Sequence, residues 1–409
     1  MKEQITIIGA GRTGRGMFGE LFFKDGRYKI NFSDNDPILV TNLREQGFYH
    51  VEMKDLLTGE SELKCINNFN VYHINQDRER YINALSESTY IATALFPEAF
   101  DSAIDDIVSA IKLRIKKGIN KPLTILLGAN YVGLFEYFQP KIIKHFENSD
   151  DITYFDKYVA ILTTNANRKI VFPDHYEDDK YLLEGDNKAI LMVEDNFKFS
   201  DGYKIPTFFK PIKNVEINMI EKIWSENLEH ISLGFLGNYY GYTTINEAIS
   251  NDNIRKIVYY AWKEARLAMY TKYAIPIPDD NYKIIVYEKF ASPYFADKLT
   301  RIARDTKRKL KKNDRLLGPI KLCLEEGVLP FFITKCLAYG FYFYDDSIED
   351  SKEIRSDVLT LGIKETIIKY CQLDLNNTND RWILEMVIAH YNDINNYSPI
   401  NLSSVAIKK

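Results

Sequence analysis

The chain has 409 residues, 45% hydrophobic and 27% charged, with a formal net charge of −4; that length supports two domains, and the slightly acidic balance excludes a global attraction to nucleic acid or to an anionic membrane. No apolar stretch reaches the roughly 18 residues of a membrane span, and the start runs straight into a strand with no signal-peptide pattern. Cys65, Cys323, Cys336 and Cys371 are scattered, without a C-x-x-C pair or a metal-like cluster with histidine, so the expectation is a cytoplasmic protein with reduced thiols, no metal site and no membrane segment.

In chain order, "QITIIGA" reads as a buried strand, residues 12–23 as a helix with Met17, Leu21 and Phe22 on one face, and "YKINFSD" as a second strand. Asp36 and Pro37 have the residue types of an N-cap and a first helical position. "STYIATAL" and "PLTILLGA" are apolar runs of strand length on either side of an amphipathic helix over residues 98–117. "YVAILTT", "KIVFP" and "AILMVED" read as strands that extend the same sheet, and the acidic residues 174–186 read as an exposed loop. Strand–helix alternation implies a parallel, doubly wound sheet. Beyond about residue 210 helical periodicity takes over, in residues 215–232, 254–273, 280–287, 316–326 and 380–391. The expected fold is α/β, a Rossmann-type doubly wound sheet domain over residues 1–210 followed by an all-helical domain over residues 211–409.

Gly9, Gly11 and Gly14 stand at G-x-G-x-x-G spacing behind the first strand and before the first helix, the context a dinucleotide cradle requires. The first glycine permits a tight turn, the second lets the backbone approach a pyrophosphate, and the third lets helix pack on strand. The helix start at Arg12 and Thr13 then offers N–H groups and the positive dipole end to phosphates. Asp34 ends the second strand about 20 residues on, where an acid binds the ribose 2′-OH and repels a 2′-phosphate, so the expected cofactor is NAD. The competing reading is a glycine-rich turn in another α/β protein, with Asp34 on the surface.

In the second half, Lys222, Asn227 and His230 are offset by five and three residues. At about 100° per residue, His230 lies about 80° and Asn227 about 140° from Lys222, so one broad face presents all three. A buried lysine can be a general base, an asparagine amide stabilises an alkoxide without titrating, and a neutral histidine orients a hydroxyl. An ordinary amphipathic helix, with Lys222 in solvent and His230 half-buried, fits the same spacing. Between Lys298 and Arg315 nine basic residues face only Asp305 and Asp314. A solvated helix face and a funnel for an anionic substrate both fit; a nucleic-acid patch lacks interleaved aromatics.

Three stretches together resemble the polyol-specific long-chain dehydrogenases, the mannitol dehydrogenase family, with its branch acting on mannitol 1-phosphate the most similar. They are "GAGRTGRGMFGELF", "KIWSENLEHISLGFLGNYYGYTTINEAI" and "KFASPYFADKLTRIARDTKRKLKKNDRLLGP". The resemblance implies a metal-independent NAD-dependent oxidoreductase acting on a CH–OH group of a small anionic sugar or polyol. Lys222 would be the general base, Asn227 an oxyanion donor and His230 a substrate holder; Arg301 and Lys309 would contact the substrate. Thr163 would replace a second oxyanion donor, with Asn165 near enough to compete, and Glu229 would stand beside the site. Thr93 and Asn130, at strand ends, would complete the cofactor set. The expected pair is mannitol 1-phosphate and fructose 6-phosphate, or a close relative. The alternatives are a hexuronate reductase of the same family and a nucleotide-binding regulatory protein that has lost catalysis. Monomer and homodimer both stay open.

Overall fold

The structure of the protein is a computed structural model that describes residues 3–55, 60–129, 131–166, 168, 170–173, 179–187, 190–198, 204–291 and 297–396. The chain forms two compact units, Met1–Asn218 and Met219–Lys409.

Twelve strands are described in the first unit: β1 (Glu3–Ile8), β2 (Tyr28–Asp34), β3 (Phe48–Lys54), β4 (Ser61–Asn67), β5 (Phe69–His73), β6 (Tyr90–Thr93), β7 (Leu123–Leu127), β8 (Val159–Ala166), β9 (Ile170–Val171), β10 (Leu183–Asp186), β11 (Leu191–Glu194) and β12 (Phe209–Ile212). Eight make one sheet in the order β12-β11-β8-β7-β6-β1-β2-β5. From β5 to β8 every pairing is parallel. The central strands are buried along nearly their whole length, as parallel strands with helices on both faces must be. The chain winds outward from β1 to β2 and β5, then returns to the other side of β1 with β6, β7 and β8. That reversal opens a crevice at the carboxyl ends of β1 and β6. The doubly wound sheet followed by a helical unit is the fold that the sequence implies.

Three stretches differ from the sequence reading. Residues 48–73 form three strands, and β3 with β4, β9 and β10 makes a second sheet, so β9, within "KIVFP", does not extend the first. The expected acidic loop over residues 174–186 ends instead in β10, parallel to β3, with Leu183 fully buried; residues 174–178 lie outside the described residues. Asp179, ahead of β10, is consumed internally. Asp179 accepts from the Gln46 side chain (2.9 Å) and from the His50 and Tyr181 amides (2.8 Å each), which removes the cost of burying the carboxylate.

The second unit is built on the helix Asn227–Tyr239, whose residues Leu228 to Gly237 are all buried except His230. A Cβ on Gly237 would stand 2.5 Å from a Leu299 methyl, so that glycine lets the helix Leu299–Ala303 pack closely. The long helix Asp252–Tyr273 starts with the Asn251 carbonyl oxygen of its side chain accepting from the Asn253 (3.0 Å) and Ile254 (3.1 Å) amides. Such a cap contributes about 1 kcal/mol. Helices not expected from the sequence also occur, among them Phe331–Gly340, Glu349–Thr360 and Ile363–Cys371. No helix among the described residues is long and apolar enough to cross a membrane.

Candidate active site

The glycine turn is braced from three sides. Gly9 takes φ +100°, a left-handed conformation, and donates its N–H to the Ser33 carbonyl (2.9 Å). A Cβ on Gly14 would lie 1.9 Å from the Gly9 carbonyl oxygen, so the helix start presses directly on the turn. Gly11 is different, because a Cβ there would meet nothing within 4 Å. Among the described residues no atom explains a glycine at that position, whereas a ligand approaching the backbone does. The Arg15 N–H donates back to the Gly11 carbonyl (3.0 Å). The N–H groups ahead of it are those a helix start leaves without an intrahelical partner. These features fit the pyrophosphate of a dinucleotide. Arg12 and Thr13 sit in this first turn, Arg12 half-buried with its guanidinium 5.7 Å from the Phe172 ring and Thr13 exposed.

Asp34, at the end of β2, accepts from the Ala10 N–H through Oδ2 (2.8 Å) and from the Asp36 N–H through Oδ1 (3.0 Å). Its carboxylate is thereby fixed against the turn. Arg15 is a further residue that the sequence reading passed over. It is 1% exposed, donates from Nε to the Ala10 carbonyl (2.8 Å) and from Nη1 to the Tyr181 carbonyl (2.7 Å), and lies between the Tyr49 and Tyr181 rings. Its signal was a charge between Gly14 and Gly16, on the face that should be apolar.

Thr93 ends β6 in register with Ile8 and Leu127; it is buried, and the Gly128 N–H approaches its hydroxyl at 3.4 Å. Thr163 is level with Leu127 on β8. It shares a strand face with Asn165, because alternate residues do, and both are buried. Thr164 turns the other way and donates to the Leu127 carbonyl (2.9 Å). Asn130 lies outside the described residues.

The Lys222 segment is not a plain α-helix. Val215–Glu221 is α-helical, Lys222–Glu226 is a π turn, and α-helix resumes at Asn227. The Asn227 N–H donates to the Lys222 carbonyl, the i→i+5 bond of a π turn. That closure places Asn227 one turn directly above Lys222, where an unbroken α-helix would hold them about 140° apart. His230, three residues on, is the next neighbour on the same face. All three are half-buried. Two side chains support the turn. The Ser225 hydroxyl donates to the Glu221 carbonyl (2.5 Å), and Trp224 is anchored by its Nε1–H on the Asn313 carbonyl (3.3 Å) and packed against Gly318. Ahead of it, the buried Arg266 donates to Glu221 (2.7 Å) and to the Pro276 carbonyl (2.6 Å). Glu229 does not stand on this face. It is 1% exposed and turned into the helical core, because the residue next to His230 lies about 100° around the helix.

The basic run is mostly neutralised. Arg301 is exposed and paired with Asp297; Lys307 pairs with Glu353 and Asp350; Arg308 and Arg315 share Asp314. Lys309 is buried, and its ammonium donates to the carbonyls of Ile302 (2.7 Å) and Arg304. That closes the end of the helix Leu299–Ala303 and occupies two of its three donors. Burial and the neighbouring Arg315 and Arg308 push the Lys309 pKa down. Arg304 is exposed and has no carboxylate partner among the described residues. Nor do those residues hold a His, Cys, Asp and Glu group that could bind a metal ion.

Residues 3–197 match the mannitol dehydrogenase Rossmann domain and residues 214–397 the mannitol dehydrogenase C-terminal domain. The mannitol-1-phosphate 5-dehydrogenase of Thermoanaerobacter pseudethanolicus is 30% identical over 394 residues, covering 95% of this chain and 97% of that one. The enzyme of the same name from Streptococcus pneumoniae is 25% identical over 393 residues, covering 95% and 100%. Among solved structures, Pseudomonas fluorescens mannitol 2-dehydrogenase, a ternary complex with NAD and D-mannitol, shares the fold with a TM-score of 0.75 at 14% identity, covering 97% of this chain and 92% of that one. A substrate-free D-sorbitol dehydrogenase gives 0.63 at 14% identity, covering 97% and 94%. The chain belongs to the mannitol dehydrogenase family.

Proposed function

We propose that the chain is an NAD-dependent polyol-phosphate dehydrogenase of the cytoplasm, interconverting mannitol 1-phosphate and fructose 6-phosphate or a close relative of that pair. The observation that carries this reading is the π turn that sets Asn227 over Lys222 with His230 beside them. The relatives named mannitol-1-phosphate 5-dehydrogenase support the choice of substrate. A nicotinamide bound at the cradle supplies the hydride acceptor or donor. In oxidation, the Lys222 amine takes the proton from the substrate hydroxyl. The Asn227 amide donates to the alkoxide as charge develops, and the His230 ring orients the hydroxyl; Thr163 keeps the role of a further donor. Arg301, the remaining Lys309 donor and the exposed Arg304 attract the phosphate.

Asp34 sets the cofactor choice. Its carboxylate is pinned by two amides and repels a 2′-phosphate. Asp34→Ser is expected to tighten NADPH relative to NADH about tenfold or more, since a like-charge contact costs several kcal/mol; fluorescence titration of both cofactors checks it. For the substrate, NADH consumption is measured with fructose 6-phosphate, fructose, tagaturonate and fructuronate. Turnover with the phosphate ester alone supports the proposal. Turnover with a hexuronate alone moves the substrate within the family, and silence with all four while NADH binds overturns it.

A further inference from the structure

The helix Asp280–Ala291 buries a charge and exposes apolar side chains. Its exposed positions include Tyr282, Ile284 and Ile285, whereas its buried positions carry Lys283, Tyr287 and Phe290. The Lys283 ammonium contacts the Glu229 carboxylate at 2.5 Å and sits 4.2 Å from the Trp262 ring. The Tyr287 hydroxyl donates to Glu229 Oε1 (2.8 Å). All four groups are buried. Burial pushes the Glu229 pKa up and the Lys283 pKa down, each opposed by its partner. One turn further, the Phe290 ring stands edge-on to His230 with centroids 5.0 Å apart, and Tyr287 stacks over Phe290 at 6.5 Å.

A buried ion pair is a poor source of stability, because an apolar replacement of similar volume usually does as well or better. It is directional, however, and can fix one register between two helices. Glu229 and His230 are consecutive, and Lys283, Tyr287 and Phe290 share one face at i, i+4 and i+7. Locking Lys283 and Tyr287 onto Glu229 therefore sets where Phe290 meets the imidazole. We propose that Glu229, Lys283 and Tyr287 are positioning residues whose buried lock holds Phe290 against His230 and so fixes the ring that orients the substrate. This rests on the role proposed for His230.

The test is the double variant Glu229→Gln/Lys283→Met, which removes the charges and keeps the volume. Its Tm is expected at or above the wild-type value, with NADH affinity unchanged. KM for fructose 6-phosphate should rise roughly tenfold to a hundredfold, the cost of a small misplacement. The His230 ring resonance, assigned by loss in His230→Asn, should shift. Phe290→Leu, with the lock intact, should shift the same resonance and raise KM likewise, and it serves if the double variant does not fold. A folded variant with wild-type KM, kcat and His230 resonance overturns the proposal. Should the wild type fail to turn over fructose 6-phosphate, the substrate assignment fails by itself. The His230 resonance then decides for the lock, supporting it if displaced and overturning it if unmoved.

Discussion

Lys222→Ala is expected to lower kcat with fructose 6-phosphate by about 10²- to 10⁴-fold, the usual contribution of a positioned general base, and to leave NADH affinity at the wild-type value. The cradle for NADH is built from residues of the first unit, whereas Lys222 belongs to the second. The helix should survive, because alanine is the best helix former and because Ser225, Trp224 and the Arg266–Glu221 pair hold the π turn without the lysine side chain. Lys222→Arg separates two accounts of the same loss. Arginine keeps the charge but does not deprotonate in proteins. Activity that stays lost in Lys222→Arg identifies a base, whereas activity restored there identifies an electrostatic role. Wild-type turnover in Lys222→Ala would remove Lys222 from the chemistry.

Gly14→Ala and Gly11→Ala should fail in different ways. At Gly14 the new methyl would stand 1.9 Å from the Gly9 carbonyl oxygen. Gly9 is itself held, since its N–H is tied to the Ser33 carbonyl and the Ala94 carbonyl crowds its other side, 2.5 Å from where a Cβ would stand. Overpacking of this kind costs on the order of 3 kcal/mol, a Tm loss of roughly 6–12 °C for a unit of this size, and NADH affinity should fall with the distorted turn. At Gly11 there is open space, so Gly11→Ala should keep the wild-type Tm. Its methyl would instead meet the pyrophosphate, and NADH affinity should drop about a hundredfold, as expected when a close backbone approach is blocked. Calorimetry and NADH titration on both variants check this. NADH bound at wild-type strength by Gly11→Ala would contradict the cradle.

What was legible in the sequence was what short-range pattern determines. The strand–glycine–helix opening is local, and so is the Asp34 that ends β2. β3 also left its mark, since Tyr49, Val51 and Met53 are buried while the residues between them are not. It was missed because its partners β4 and β10 could not be foreseen. β10 was hidden by the charges in and ahead of it; Asp179, four residues before its start, is held by Gln46 and His50, more than a hundred residues earlier. At the candidate site, the spacing from Lys222 to Asn227 is a poor fit to an α-helix and a good fit to a π turn. That turn depends on a Trp224 anchor at Asn313, which no local pattern discloses. The identity of the basic run was visible and its balance was not. Asp297, Asp350, Glu353 and Asp314 pair with Arg301, Lys307, Arg308 and Arg315, and Lys309 turns inward to helix carbonyls.

The central claim, hydride transfer between nicotinamide and a ketose phosphate, is tested most directly with NADH carrying deuterium at both C4 positions. It is incubated with the protein and fructose 6-phosphate, and the product is read by mass spectrometry and proton NMR. The account predicts a polyol phosphate bearing deuterium at the new carbinol carbon, formed about 10²- to 10⁴-fold more slowly by Lys222→Ala. Bound NADH with no deuterium in any sugar phosphate product would contradict it.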